Sequence, residues 1–257
     1  MTNDELKQIE ETATGFAIEA GKMTLEYFKH GFSVDRKRDG SFVTAADRAV
    51  EAFLRAEISR YFPDDGILGE EEAEQPGKSG RRWIVDPIDG TFSFVHGVPF
   101  FGVLIALETE GRSNVGVINI PVLGELISAS TGNGCTFNGK PSNVSTVSSL
   151  DRALLLATDF GVCAKYGFGE VAEKLTRQVA ERRTWGDCYG YLLVATGRAE
   201  IMFDPVMNIW DCAALQPVIE EAGGTFTDWR GLSTISGGNA IATNGLLFKE
   251  VMDVIRS

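Results

Sequence analysis

The segment WIVDPIDGT, Trp83 to Thr91, constrains the fold of this chain more than any other. Trp83, Ile84 and Val85 belong in a core, whereas Asp86 and Asp89 resist losing their water and repel each other when close. The stretch therefore reads as a buried strand that ends at a sheet edge. There Pro87 locks the backbone, and a tight turn returns Asp89 to the side of Asp86. Gly90 permits close approach of the backbone. An Asp-Pro and Asp-Gly turn accounts for these residues, and so does a cation held between the two carboxylates. The segment alone leaves both readings open.

Three further carboxylates occupy comparable places. Glu70 ends the apolar run of ILGEE, with Glu71, Glu72 and Glu74 beyond it reading as a solvated acidic loop. Thr44 and Asp47 stand three apart where TAADRAVEAFLRAEISRYF begins, the spacing of a helix capping box. Asp211, in WDCAALQPVIEEAGG, falls in a first helical turn, where the dipole favours an anion. Each has a local explanation, but the set of four is better explained by divalent metal. Oxygen donors suit Mg²⁺ or Mn²⁺, and the scattered Cys135, Cys163, Cys188 and Cys212 make no zinc site. Glu70, Asp86 and the Ile88 carbonyl are candidates for one ion; Asp86, Asp89 and Asp211 are candidates for a second, with Asp86 bridging. Paired ions about 3.5–4 Å apart stabilise the attacking and leaving oxygens of phosphoryl transfer. The backbone N–H groups of Gly90, Thr91 and Phe92 are candidates to hold phosphate oxygens.

Composition narrows the partners. Asp plus Glu number 36 against 24 Lys plus Arg, a net charge of −12, which argues against a nucleic-acid surface with its basic stripe and suits cations. The N-terminus MTNDELKQIEE is unlike a signal peptide and no apolar run spans a membrane, so a cytoplasmic protein is expected. Apolar spacing predicts helices over 4–29 and from Thr44, then strands at RRWIVD and at FFGVLIALETEGRSNVGVINI with a turn near Gly111. GELISAS continues the sheet into the glycine-rich TGNGCTFNGK, whose spacing does not match a dinucleotide loop. The polar stretch at 141–150 marks a boundary. Beyond it LLLAT and AEIMF read as strands, 168–182, 187–197 and WDCAALQPVIEEAGG as helices, and TFTDW as a short strand. His30 and His96 receive no role.

Five segments carry a family resemblance: VTAAD (43–47), ILGEE (67–71), WIVDPIDGT (83–91), FNGKP (137–141) and WDCAALQPVIEEAGG (210–224). In this order they resemble the inositol-monophosphatase-like family of Mg²⁺-dependent, lithium-sensitive phosphatases. The resemblance implies a layered α/β/α/β/α sandwich mixing α+β and α/β character. An α+β half, residues 1–145, would carry most metal ligands; an α/β half, 146–257, would carry Asp211 and the selectivity residues. It implies metal ligands at Glu70, Asp86, the Ile88 carbonyl, Asp89 and Asp211, two to three Mg²⁺ ions with Mn²⁺ as an alternative, and a homodimer. Asp47 and Thr91 would form the hydrogen-bonded pair that orients the attacking water.

Selectivity is expected from residues 182–211. Asp204 falls where inositol monophosphatases carry a Glu for a ring hydroxyl, and Asp187 where they carry a small neutral residue. Asp187, Asp204, Trp185 and Tyr189 together suggest a cationic, partly planar substrate. The run WGDCYGYLLVATGRAEIMFDP also resembles the histidinol-phosphate phosphatases of this family, as does TFSFVHGVPFFGVLIAL. Histidinol-phosphate hydrolysis, in histidine biosynthesis, is therefore expected ahead of inositol 1-phosphate hydrolysis. A fructose-1,6-bisphosphate or nucleotide phosphatase, and a scaffold or regulatory protein with the same fold, remain as alternatives.

Overall fold

A computed structural model describes residues 1–31, 33–36 and 42–257. It opens with helix α1 (Asn3–His30), a β1–β2 pair (Val34–Arg36, Phe42–Thr44) and α2 (Ala45–Tyr61). β3 (Gly66–Gly69), β4 (Arg81–Asp89), β5 (Gly102–Thr109), β6 (Arg112–Ile120), β7 (Glu125–Ser130), β8 (Cys135–Phe137) and β9 (Lys140–Ser142) form one sheet in sequence order. Helix α3 (Thr91–Val95) interrupts it between β4 and β5. Then come β10 (Leu154–Ala157), α4 (Phe160–Lys165), α5 (Gly169–Gln178), β11 (Glu181–Arg183), α6 (Asp187–Ala195) and β12 (Ile201–Asp204). The chain closes with α7 (Ile209–Ala213), α8 (Leu215–Glu221), β13 (Thr225–Thr227), β14 (Ala240–Thr243) and α9 (Phe248–Arg256). These later strands make a second sheet in the order β11-β10-β12-β14-β13, parallel across its first three members.

Alternation along the strands builds the layers. Trp83, Val85, Val103, Ile105 and Leu107 pack with Leu6, Ile9, Phe16, Val50 and Leu54 of α1 and α2. Ile84, Leu104 and Ala106, of opposite parity, join Leu192, Val218 and Ile219 of α6 and α8. Leu156, Met202 and Ala242 of the second sheet meet the same helices from the far side. Leu155, Phe203 and Ile241 turn away, toward Leu175 of α5 and Val251 of α9. The result is the α/β/α/β/α sandwich, with α6, α7 and α8 between two sheets. No helix among the described residues is long and apolar enough to cross a membrane.

Two sequence expectations change. The helix expected over 168–182 stops at Gln178, because Glu181–Arg183 pairs in parallel with Leu154–Leu156 and tertiary pairing overrides local propensity. The stretch WDCAALQPVIEEAGG is two helices joined at Ala214, since Pro217 has no N–H to offer the Ala213 carbonyl.

Candidate active site

The end of β4 is where the strand rule breaks. The register with β5 shifts between Asp86 and Asp89, a bulge at Pro87. The extra residue lets Val85 and Ile88 both pack toward the α2 side, Ile88 against Ala46, Phe94 and Phe101. Asp86 and Asp89 are consequently turned together toward the middle helix layer. There α7 supplies Asp211, and one carboxylate oxygen of each of the three lies within 4.8 Å of the others. Among the described residues no lysine or arginine pairs with any of them. Asp86 accepts the Ile88 N–H at 3.0 Å, Asp89 the Cys188 N–H at 2.6 Å, and Asp211 the Asn208 N–H at 2.6 Å.

Such crowding has an electrostatic signature. Burial, and then Glu70, Asp89 and Asp211, hold the Asp86 carboxyl well above the usual range. Burial, Asp187 and Asp211 do the same to Asp89. Burial raises Asp211 to about 7, and Glu70 and Asp187 add to the rise against the opposing Asn208 hydrogen bonds. Without a cation these carboxylates are poorly tolerated as anions. Asp47 adds a further sign: its Oδ2 is held by Thr44 N–H and hydroxyl at 2.8 and 2.5 Å, but its buried Oδ1 has no partner. The residues thus fit a divalent metal, which would supply the missing positive charge.

Two lobes meet at this cluster. The outer lobe, about 430 Å³, is lined by Glu70, Asp89, Gly90, Thr91, Phe92, Asp187 and Asp211, with Arg36 and Phe42 from the β1–β2 pair. Gly90 has φ +80° and begins α3, so Thr91 and Phe92 open a helix whose first N–H groups lack intrahelical acceptors. The inner lobe, about 140 Å³, is lined by Thr158, Asp159, Val162, Asp187, Asp204 and Met207, with Asp89 and Asp211 at its mouth. Among the described residues no lysine or arginine lines it. Asp204 is 5% exposed and accepts the Thr158 N–H at 3.1 Å and the Tyr191 hydroxyl at 3.2 Å. Burial pushes it up to about 7, and burial pushes Asp187 up to about 6. Asp187 has φ +50°, a conformation Asp tolerates better than most residues, and its N–H donates to the Thr158 hydroxyl at 2.8 Å.

A model of the inositol monophosphatase family matches residues 5–255. The chain belongs to that family. It is 45% identical to a histidinol-phosphatase of Chlorobaculum parvum over 95% of each chain. It is 42% identical to a histidinol-phosphatase of Mycobacterium tuberculosis over 85% of this chain and 86% of that one. The crystal structure of the extragenic suppressor protein suhB from Bartonella henselae superposes with a TM-score of 0.90 at 30% identity, covering 97% of this chain and 99% of that one. The protein is a phosphatase of this family.

Within the phosphatase, the residues expected from sequence separate into three groups. Asp86, Asp89, Asp211, Glu70, Gly90, Thr91, Phe92, Asp187 and Asp204 border the joined lobes or the carboxylate cluster. Asp47 and Thr91 do not form the expected hydrogen bond. The Thr91 hydroxyl donates to the Ile88 carbonyl at 3.0 Å inside its own turn, and Asp47 is engaged by its own helix cap. Trp185 and Tyr189 line neither lobe. Tyr189 lies about 200° around α6 from Asp187 and stacks on Phe100 with ring centroids 4.7 Å apart. Tyr191, four residues after Asp187 and on its face of the helix, is fully buried and lines neither lobe, but its hydroxyl reaches Asp204 from the core side. Thr158 and Asp159 went unnoticed in the sequence. The available signal was their position directly after strand LLLA, because ligands gather at the carboxyl ends of parallel strands.

Proposed function

We propose that this phosphatase hydrolyses histidinol phosphate with Mg²⁺, releasing histidinol and inorganic phosphate as a step of histidine biosynthesis. The observation that carries the reading is the inner lobe. Asp187, Asp204 and Asp159 border a small cavity lined by no lysine or arginine among the described residues, an environment for an ammonium or imidazolium group. The two relatives above, both histidinol-phosphatases by name, support the same choice.

In this reading the phosphate occupies the outer lobe, against the N–H groups of Gly90, Thr91 and Phe92, and the cationic leaving group fills the inner one. Glu70, Asp86, the Ile88 carbonyl, Asp89 and Asp211 would hold the metal, which when bound supplies charge compensation for the phosphoryl oxygens. The Ile88 carbonyl, already accepting the Thr91 hydroxyl, keeps a second lone pair for this purpose. Asp47, with one oxygen fixed by Thr44 and one unpartnered, would accept a proton from the attacking water in this reading. Thr158 holds both selectivity aspartates, giving its N–H to Asp204 and accepting that of Asp187. The proposal includes a cytoplasmic homodimer, to be tested by light scattering on the eluted protein.

Phosphate release from histidinol phosphate, inositol 1-phosphate, fructose 1,6-bisphosphate and adenosine monophosphate, with and without Mg²⁺, tests the proposal. A kcat/KM for histidinol phosphate at least tenfold above the others supports it. Preference for inositol 1-phosphate would replace the substrate while leaving the metal reading intact. No Mg²⁺-dependent release from any of them would favour a binding protein built on the same fold.

A further inference from the structure

Glu51 lies one helical turn after Asp47 on α2 and has no exposed surface. Its carboxylate accepts the backbone N–H of Glu71 at 2.7 Å and of Glu72 at 3.0 Å, the two residues that follow Glu70. Arg55, a further turn along, donates from Nε to Glu51 at 2.8 Å and from Nη2 to the Glu72 carbonyl at 2.9 Å. Asp47, Glu51 and Arg55, spaced by four, therefore form one column along α2. Its lower two members grip the backbone after Glu70 on both its donor and acceptor sides. The fit is tight: a Cβ on Gly69, the residue before Glu70, would lie 2.4 Å from the Glu51 carboxylate carbon. The acidic run 70–74 is therefore not a freely solvated loop in its first half.

A buried carboxylate is costly unless its hydrogen bonds are made, and a core-facing helix position has no need of one. Three charge-assisted bonds offset that cost here, two of them from the backbone that follows Glu70 and the third from Arg55, which itself holds the Glu72 carbonyl. We propose that Glu51 is a positioning residue that holds Glu70 in place for divalent-metal binding. The inference rests on the reading of Glu70 as a metal ligand. Groups that orient a ligand without touching the metal commonly change metal affinity by roughly 10–100-fold.

Mn²⁺ binding to the full chain, followed by electron paramagnetic resonance, tests this directly with Glu51→Gln and Glu70→Gln. Gln keeps the volume but turns an NH₂ toward one of the two backbone donors. The expected result for Glu51→Gln is a Mn²⁺ Kd raised by roughly 10–100-fold. The Mg²⁺ concentration for half-maximal phosphate release should rise alongside it, with kcat at saturating Mg²⁺ little changed. A folded Glu51→Gln protein whose Kd stays within about twofold of the parent overturns the proposal, even if its melting temperature falls, because Glu51 then supports only the fold. Parent-like Mn²⁺ binding by Glu70→Gln removes the ligand reading itself, and the proposal with it. If Glu51→Gln does not fold, Gly69→Ala crowds the same carboxylate without deleting it; the same weakening is expected, and unchanged Mn²⁺ affinity there overturns the proposal.

Discussion

Replacing Asp204 by Asn should stabilise the metal-free protein at pH 8 while impairing it as an enzyme on a cationic substrate. Asp204 is 5% exposed, and burial raises it from 3.8 to about 7. For a carboxyl raised on folding, the folded state binds the proton more tightly than the unfolded state. The group's contribution is therefore favourable below about pH 4 and is lost as pH rises through about 7. A shift of about three units, at about 1.4 kcal/mol each, makes the ionised form about 4 kcal/mol less favourable to folding. For a chain of 257 residues the unfolding entropy is about 0.5 kcal/mol per degree, so the melting temperature should fall by about 8 °C between pH 4 and pH 8 through this group alone.

Asn carries no charge at any of these pH values, and its carbonyl can still accept from Thr158 N–H while its NH₂ donates to the Tyr191 oxygen. Thermal unfolding in EDTA should therefore show the gap between Asp204→Asn and parent moving by about 8 °C in favour of the variant as pH rises from 4 to 8. The same variant should lose at least tenfold in kcat/KM on histidinol phosphate and much less on inositol 1-phosphate. Parallel pH profiles would refute the burial argument, and equal losses on both substrates would refute cation recognition by this residue.

Other perturbations probe the remaining parts. Asp86→Asn should abolish Mg²⁺-dependent turnover, by at least about 10³-fold, and weaken Mn²⁺ binding, yet raise the metal-free melting temperature at pH 8 by deleting one of three crowded buried charges; near-normal turnover at saturating Mg²⁺ counts against Asp86 as a bridging ligand. Tyr191→Phe, which strips Asp204 of a donor, should raise KM for histidinol phosphate several-fold, whereas Tyr189→Leu should leave it within about twofold; steady-state kinetics showing the reverse order would restore Tyr189 to the site. Leu54→Ala, at a fully buried position between α2 and the first sheet, should cost about 2–5 kcal/mol in urea unfolding without changing the substrate preference of the folded fraction.

Much of the site's chemistry was legible in the chain because it is local. The Thr44–Asp47 capping box and the buried strand at Trp83–Val85 arise from neighbours within a few residues, as does Asp211 in its first helical turn. The tight turn expected at Pro87 is instead a bulge within β4, set by its pairing with β5. Helical spacing alone, however, could not tell which face of 187–195 would look into the cleft. Asp187 lines both lobes, whereas Tyr189 turns away onto Phe100 and Tyr191 is buried behind the site against Asp204.

By itself, then, the sequence determined the ligand types and much of the backbone that carries them: hard oxygen donors at the end of a buried strand and at helix starts, suited to a divalent cation and phosphate. Tertiary structure alone decided which side chains share a space. The inner lobe joins Thr158, Asp187 and Asp204, which follow or end three parallel strands separated in the chain by helices. Their meeting depends on strand order, β11-β10-β12, and on the middle helix layer pressed between two sheets. The Asp47–Thr91 pair shows the same division from the other side. Family pattern places the two residues together, but each hydroxyl or carboxylate bonds the partner its own turn offers first. Local geometry sets what a residue can do, and long-range packing sets what it does it to.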